Sequence, residues 1–126
     1  MRSPMERIPV TPWLSKPTRN CSTTNTSFTT NFVLDETITL IRYNMHHAAA
    51  VRFRHMLQSL IEDGLVELVR VDEAQEDAAW SIFEQYSDQD FSYTDCTSFA
   101  VMRQLGLTHV FTADHHFATM GFVLLP

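Results

Sequence analysis

Three carboxylates, Glu36, Asp95 and Asp114, stand in settings where an acid is unexpected. In SYTDCTSF, residues 92–99, Ser92 and Thr94 precede Asp95 and an apolar run follows. Ser92-x-x-Asp95 has the spacing of a reciprocal helix cap, in which hydroxyl and carboxylate each accept the other's backbone N–H. Phe99 and Met102, four and seven residues on, put the same carboxylate on an apolar face of its helix. Glu36 repeats the arrangement: Phe32, Val33, Leu40 and Tyr43 at −4, −3, +4 and +7 set it on an inward stripe, whereas Asp35, one step round, can face water. Asp114 follows the apolar run HVFTA, where it can cap the helical turn of HHFATMG. A buried carboxylate costs several kcal/mol unless it is paired or holds a metal. With Arg42, Arg52, Arg54, Arg70 and Arg103 as the cations nearby in sequence, three such acids point to a hard-cation site more than to three separate caps.

Other chemistries find less support. His46-His47 and His115-His116 are adjacent pairs, whose members point different ways on a helix and cannot chelate as an i, i+4 pair does; they read as solvated or capping groups. Neither G-x-x-x-x-G-K-[ST] nor G-x-G-x-x-G occurs, and three glycines in all give little material for a phosphate-cradling loop. No G-x-S-x-G elbow frames the serines, which leaves nucleophilic hydrolase chemistry without a motif.

The elements that must position the acids follow from hydrophobic period and caps. TTNFVLDETITLIRYNMHHAAAVRFRHMLQSLIEDG reads as two helices from Thr29, broken near residues 44–46 and stopped at Gly64. LVELVRV alternates and is β-branched, which predicts a strand. DEAQEDAAWSIFEQYS opens with Asp72 three residues before Gln75 and carries Ala79, Ile82, Phe83 and Tyr86 on one stripe. A further helix runs from SYTD to Gly106, then THVFTA is a short strand, HHFATMG a turn of helix and FVLLP a last strand. Helices alternating with short apolar strands imply a parallel α/β sheet, because parallel neighbours need crossover connections. In such sheets ligands bind beyond the C-terminal strand ends, where Asp114 falls.

Before residue 29 the pattern is different. Pro4, Pro9, Pro12 and Pro17 are followed by the polar stretch NCSTTNTSFTT, so residues 1–28 are expected to be irregular or disordered and residues 29–126 to form the domain. The prolines also make MERIPVTPWLSKPTRN a poor source of a central strand. A chain of 126 residues suits one domain, and 44% hydrophobic residues without a run of 18 or more apolar ones suits a soluble protein. Cys21 and Cys96 show no C-x-x-C spacing, so a reducing cytoplasm is the default and Cys96 reads as a small core residue. The proline-rich N-terminus has no apolar stretch that would serve as a secretion signal. A net charge of −6 with Lys16 as the single lysine argues against broad electrostatic binding of nucleic acid. It leaves room for a nucleic-acid enzyme whose carboxylates hold a divalent ion.

TTNFVLDETITLIR and DQDFSYTDCTSFAVMRQLGLTHVFTADHHFATMGF, with their separation, resemble the PIN-domain family in its VapC-like ribonuclease toxin branch. The resemblance runs from about residue 28 to the C-terminus, and the series S-x-T-D-C, T-x-D-x-x-F, G-F is specific. It implies a PIN-like, Rossmann-like parallel sheet flanked by helices, and a Mg2+- or Mn2+-dependent endoribonuclease that hydrolyses RNA phosphodiester bonds. By motif, Glu36, Asp95 and Asp114 match three of the family's four metal-binding acids, Thr94 matches the hydroxyl beside the third, and Ser92 helps to cap that helix. A possible antitoxin protein and a second copy of the chain are the partners it implies. The family's first strand ends in an aspartate, yet residues 1–34 contain none. The resemblance therefore implies an N-terminally shortened domain lacking the usual first strand, with poor stability or rescue by a partner. It also leaves a second reading: a catalytically inactive remnant that binds an antitoxin or a PIN protomer.

Overall fold

The computed structural model describes residues 13–15, as backbone, together with residues 26–112 and 114–125. Five strands form one sheet in the order β3-β2-β1-β4-β5. β2 (Ser27–Thr30) runs parallel to β3 (Val66–Val69), and β4 (His109–Phe111) parallel to β5 (Val123–Leu125). The helices are the crossovers: α1 (Asn31–Asn44) and α2 (His47–Glu62) join β2 to β3, α3 (Glu73–Gln85) and α4 (Tyr93–Leu105) join β3 to β4, and α5 (His116–Thr119) joins β4 to β5. The parallel α/β sheet flanked by helices is the architecture that the alternation of elements predicts.

Two details differ from expectation. The proline-rich segment does supply a central strand: β1 (Trp13–Ser15) lies between β2 and β4 and is antiparallel to both, with Leu14 opposite Phe28 on one side and Val110 on the other. Proline removes a ladder donor only where it sits, and the three residues between Pro12 and Lys16 all keep their N–H groups. Of the irregular or disordered segment expected over residues 1–28, residues 1–12 and 16–25 lie outside the described residues, and Ser27 and Phe28 are strand. The second difference is at Thr29, read as the start of a helix. Ser27–Thr30 is a strand, paired over its full length with Val66–Val69, and α1 starts only at Asn31. Thr30 ends the strand and begins the helix at once, because its Oγ1 accepts the N–H of Val33 at 3.1 Å. Asn31 ties the neighbouring strand in, its side-chain oxygen accepting the Val71 N–H at 2.8 Å.

Local chemistry sets the remaining boundaries much as the sequence predicts. α1 ends at Met45, and His46 restarts the chain as an N-cap, its Nδ1 accepting the N–H of Ala49 at 3.0 Å. Asp72 and Gln75 make a reciprocal box, at 2.8 and 2.9 Å, that opens α3. Gly106 closes α4 in the left-handed region, φ +69°, which a residue with a Cβ adopts only at a cost. The turn brings the N–H of Leu107 back to the Met102 carbonyl at 2.8 Å and delivers Leu107 into the core.

α4 is the centre of that core. Cys96, Thr97, Ser98, Phe99, Ala100, Val101 and Met102 are all buried in succession, so this helix is covered on every side rather than along one stripe. Phe99 meets the rings of Phe91, Phe117 and Phe122 at centroid distances of 5.1, 4.8 and 6.0 Å. α3 adds Ala79 and Ile82 from its inner face, while Phe83, read as part of that stripe, turns outward and stacks on Trp80 at 5.5 Å. No helix among the described residues is long and apolar enough to cross a membrane.

Candidate metal centre

The acids of interest gather at the C-terminal ends of the parallel strands, where helices begin. Asp95 occupies the first turn of α4, and the reciprocal cap predicted for it is present: Ser92 Oγ accepts the Asp95 N–H at 3.0 Å, and Asp95 Oδ2 accepts the Ser92 N–H at 3.1 Å. Phe99 and Met102, the residues that put it on an apolar face, are both fully buried. Asp114 lies just past β4. Its N–H donates to Thr112 Oγ1 at 3.0 Å, and its Oδ1 accepts the N–H of His116 at 3.0 Å, a tight side-chain turn that opens α5. For both residues the capping role is present, and it leaves the two carboxylates close together.

The structure brings a third group to this pair. The imidazole Nδ1 of His116 lies 3.1 Å from Asp114 Oδ1 and 3.7 Å from Asp95 Oδ2. One ligand atom from each of Asp95, Asp114 and His116 falls within 4.8 Å of the others, close enough for one ion. The reading of His116 as solvated or capping is thus corrected. Adjacent histidines diverge on a helix, but His115 precedes α5 and the Asp114 turn folds His116 back over the carboxylate. His46 behaves as read, as a cap. A signal for His116 was available in Asp-x-His directly after an apolar strand, since a side-chain turn brings residue i+2 beside the acid.

Glu36 stands apart from the trio but within its field. It is half-buried in the second turn of α1 beside buried Val33, while Asp35 is exposed as predicted and Tyr43, at the end of the same stripe, is also exposed. Asp95 holds its proton more tightly than an ordinary carboxyl, chiefly because it is buried; the Ser92 N–H opposes this, and the charges of Asp114 and then Glu36 add to it. Thr94 is half-buried beside Asp95, and its carbonyl accepts the Thr97 hydroxyl at 2.6 Å. Burial, with the charge of Asp95, pushes the Cys96 thiol up to about 11, which keeps it protonated and inert as a core residue.

Charge compensation is sparse. Among the described residues His116 is the basic side chain within 4 Å of Asp95 and of Asp114, and no arginine reaches either acid. Despite its closeness to two carboxylates, His116 Nδ1 is buried and makes no hydrogen bond. An orphaned nitrogen of this kind costs about 1–3 kcal/mol, which a cation held between it and the acids would recover. Two acids, a further acid in range and an unpartnered imidazole nitrogen form a donor set that fits a divalent ion.

This geometry agrees with what comparison with known proteins finds. The family model of the PIN domain matches residues 5–123. The chain belongs to the PIN-domain family. Within the family it stands in the VapC-like branch. The 23S rRNA-specific endonuclease VapC20 of Mycobacterium tuberculosis is 33% identical over 111 residues, which span 88% of this chain and 76% of VapC20. A VapC ribonuclease of Archaeoglobus fulgidus is 35% identical over 81 residues, spanning 64% of this chain and 49% of the relative. The crystal structure of the Mycobacterium tuberculosis VapC20, a Sarcin-Ricin loop cleaving toxin, aligns with a TM-score of 0.66 at 34% identity, over 76% of this chain and 71% of that chain.

Proposed function

We propose that this PIN domain is a metal-dependent endoribonuclease of the VapC-like toxin type. The observation that carries the reading is the convergence of Asp95 and Asp114, far apart in sequence, beside a buried imidazole nitrogen at the start of α5 that makes no hydrogen bond. The relatives support the substrate class, since those it resembles are ribonucleases by name.

In this reading Glu36, Asp95 and Asp114 hold Mg2+ or Mn2+. Such an ion lowers the pKa of a bound water and offsets charge that builds on the scissile phosphate. The chain's own part is to fix the donors. Ser92 N–H holds Asp95 Oδ2, the oxygen that faces His116 Nδ1 at 3.7 Å, so this donor is fixed in place while its second lone pair stays open to a cation. The Thr112 hydroxyl and the His116 N–H set the Asp114 carboxylate at the strand end. Glu36 comes from α1 and adds negative charge near Asp95. Thr94 supplies a hydroxyl beside Asp95 that can orient a water or the RNA backbone.

Partners follow from the same reading. Ile38, Tyr43, Ala50 and Val51 line a groove of about 420 Å³ between α1 and α2, with Arg42 and Arg54 at its edge. An apolar floor with a cationic rim suits an acidic amphipathic segment such as an antitoxin could offer. The exposed rings of Trp80 and Phe83 on α3 offer a second apolar face, suited to a homodimer.

The test is cleavage of RNA, with ribosomal RNA offered first, in the presence of Mg2+ or Mn2+. The expected result is metal-dependent cleavage that Asp95→Asn lowers by a factor of 100 or more, on the order of the loss when one group of a charge-stabilising site is removed. Cleavage that persists in the variant would end this reading. A folded chain that never cleaves leaves the inactive, partner-binding remnant in its place.

A further inference from the structure

His116 differs from the three acids in one chemical respect: it offers nitrogen. Its ring is already held in place for ligation. The backbone N–H of His116 is bound to Asp114 Oδ1, the edge of the ring meets buried Phe91 at a centroid distance of 5.2 Å and an angle of 81°, and Nδ1 is buried between Asp114 and Asp95. Nδ1 makes no hydrogen bond there, although oxygen atoms lie 3.1 and 3.7 Å away. A nitrogen so placed acts as a ligand when its lone pair is free, with the proton on Nε2.

We propose that His116 is a nitrogen ligand of the acid site, and that through it the site takes Mn2+ in preference to Mg2+. The proposal rests on the metal-site reading above and goes beyond it in naming the ligand that sets cation choice. Mg2+ is a hard ion that prefers an all-oxygen shell and gives up water reluctantly. Imidazole suits the first-row transition ions, for which a mixed set of oxygen and nitrogen donors is a better match. A site of carboxylates alone would discriminate little by donor type; one with Nδ1 facing the same gap does. His115 is the control within the structure: its ring lies 4.6 Å from that of His116, yet it is exposed and outside the trio.

The experiment is titration of Mn2+ and of Mg2+ into the full chain and its variants by calorimetry, with electron spin-echo spectra of bound Mn2+ and a circular-dichroism melt of each protein. The wild type is expected to bind Mn2+ more tightly than Mg2+ and to show nitrogen coupling in the spin-echo spectrum. His116→Gln replaces the nitrogen with an amide oxygen; it should lose the coupling and lower Mn2+ affinity by about 10- to 100-fold, the range known for groups that support metal ligands. Its Mg2+ affinity should change much less. His116→Phe keeps a ring against Phe91 and should lose the coupling as well, whereas His115→Phe should retain it. Asp95→Asn distinguishes the two levels of the argument. If it removes binding of both ions while His116→Gln leaves coupling and preference intact, the acid site stands and the role of His116 is overturned. If Asp95→Asn leaves Mn2+ binding unchanged, or the folded wild type binds neither ion, the metal-site reading falls and the proposal with it.

Discussion

The region around α4 and the region along α1 and α2 solve different problems. On the α4 side seven successive residues are buried, three aromatic rings interlock around Phe99, and the acids are fixed by hydrogen bonds to backbone. On the α1–α2 side Tyr43, Met45 and Met56 are more than half exposed, and the groove between the helices is open. The first side spends its apolar residues on a rigid base, which an ion site needs because donors must hold their places without water to help them. The second leaves apolar surface in contact with water, which folding alone does not require and which association can use.

Substitutions can break or sharpen that contrast. The largest effect is expected at the centre of the dense side: Phe99→Ala should cost about 3–5 kcal/mol, since the cavity is walled by rings that cannot all move in. A denaturant melt measures it, and a loss below about 1 kcal/mol would mean that the core is not organised around this ring.

Asp95→Asn tests the price of placing the site on that side. The folded-state pKa of Asp95 lies above its ordinary 3.8, so the folded protein holds this proton more tightly than the unfolded chain does. The contribution is favourable to folding at low pH and is lost as pH rises from that value through the folded pKa. At neutral pH without metal, the asparagine variant should therefore melt a few degrees higher than the wild type, and the difference should shrink towards acid. Asparagine can still accept the Ser92 N–H, so the helix cap survives. A lower melting temperature for the variant would show that the charge helps the fold. The smallest effect belongs to the open side, where Tyr43→Ser should change stability by less than about 0.5 kcal/mol. A larger loss in the isolated chain would mean that Tyr43 is part of the core.

How legible these regions were depends on what kind of signal each carries. The dense side announces itself locally: Ser92-x-x-Asp95, Asp72-x-x-Gln75 and Gly106 are start and stop signals, and each is found in its predicted role. The strands were harder. β3, β4 and β5 lie where the sequence predicts them, but β1 has three residues and β2 four, too few for a period of two to show, and in β2 Thr30 serves strand end and helix start alike. Asp95 and Asp114 could be picked out because an acid beside apolar neighbours is costly and so conspicuous. His116 could not be picked out in that way: its signal is the Asp-x-His spacing after the strand, whose side-chain turn sets which way the ring faces.

The double duty of Asp95 bears on how such a chain can change by mutation. Its carboxylate both starts the most buried helix and faces Asp114 and His116, so replacement by alanine would remove a cap as well as an acid. Replacement by asparagine would remove only the acid. The helix thus filters the routes by which a copy of this gene could fall silent: those that keep a side-chain oxygen at position 95 leave a folded protein, and the others put the protein itself at risk.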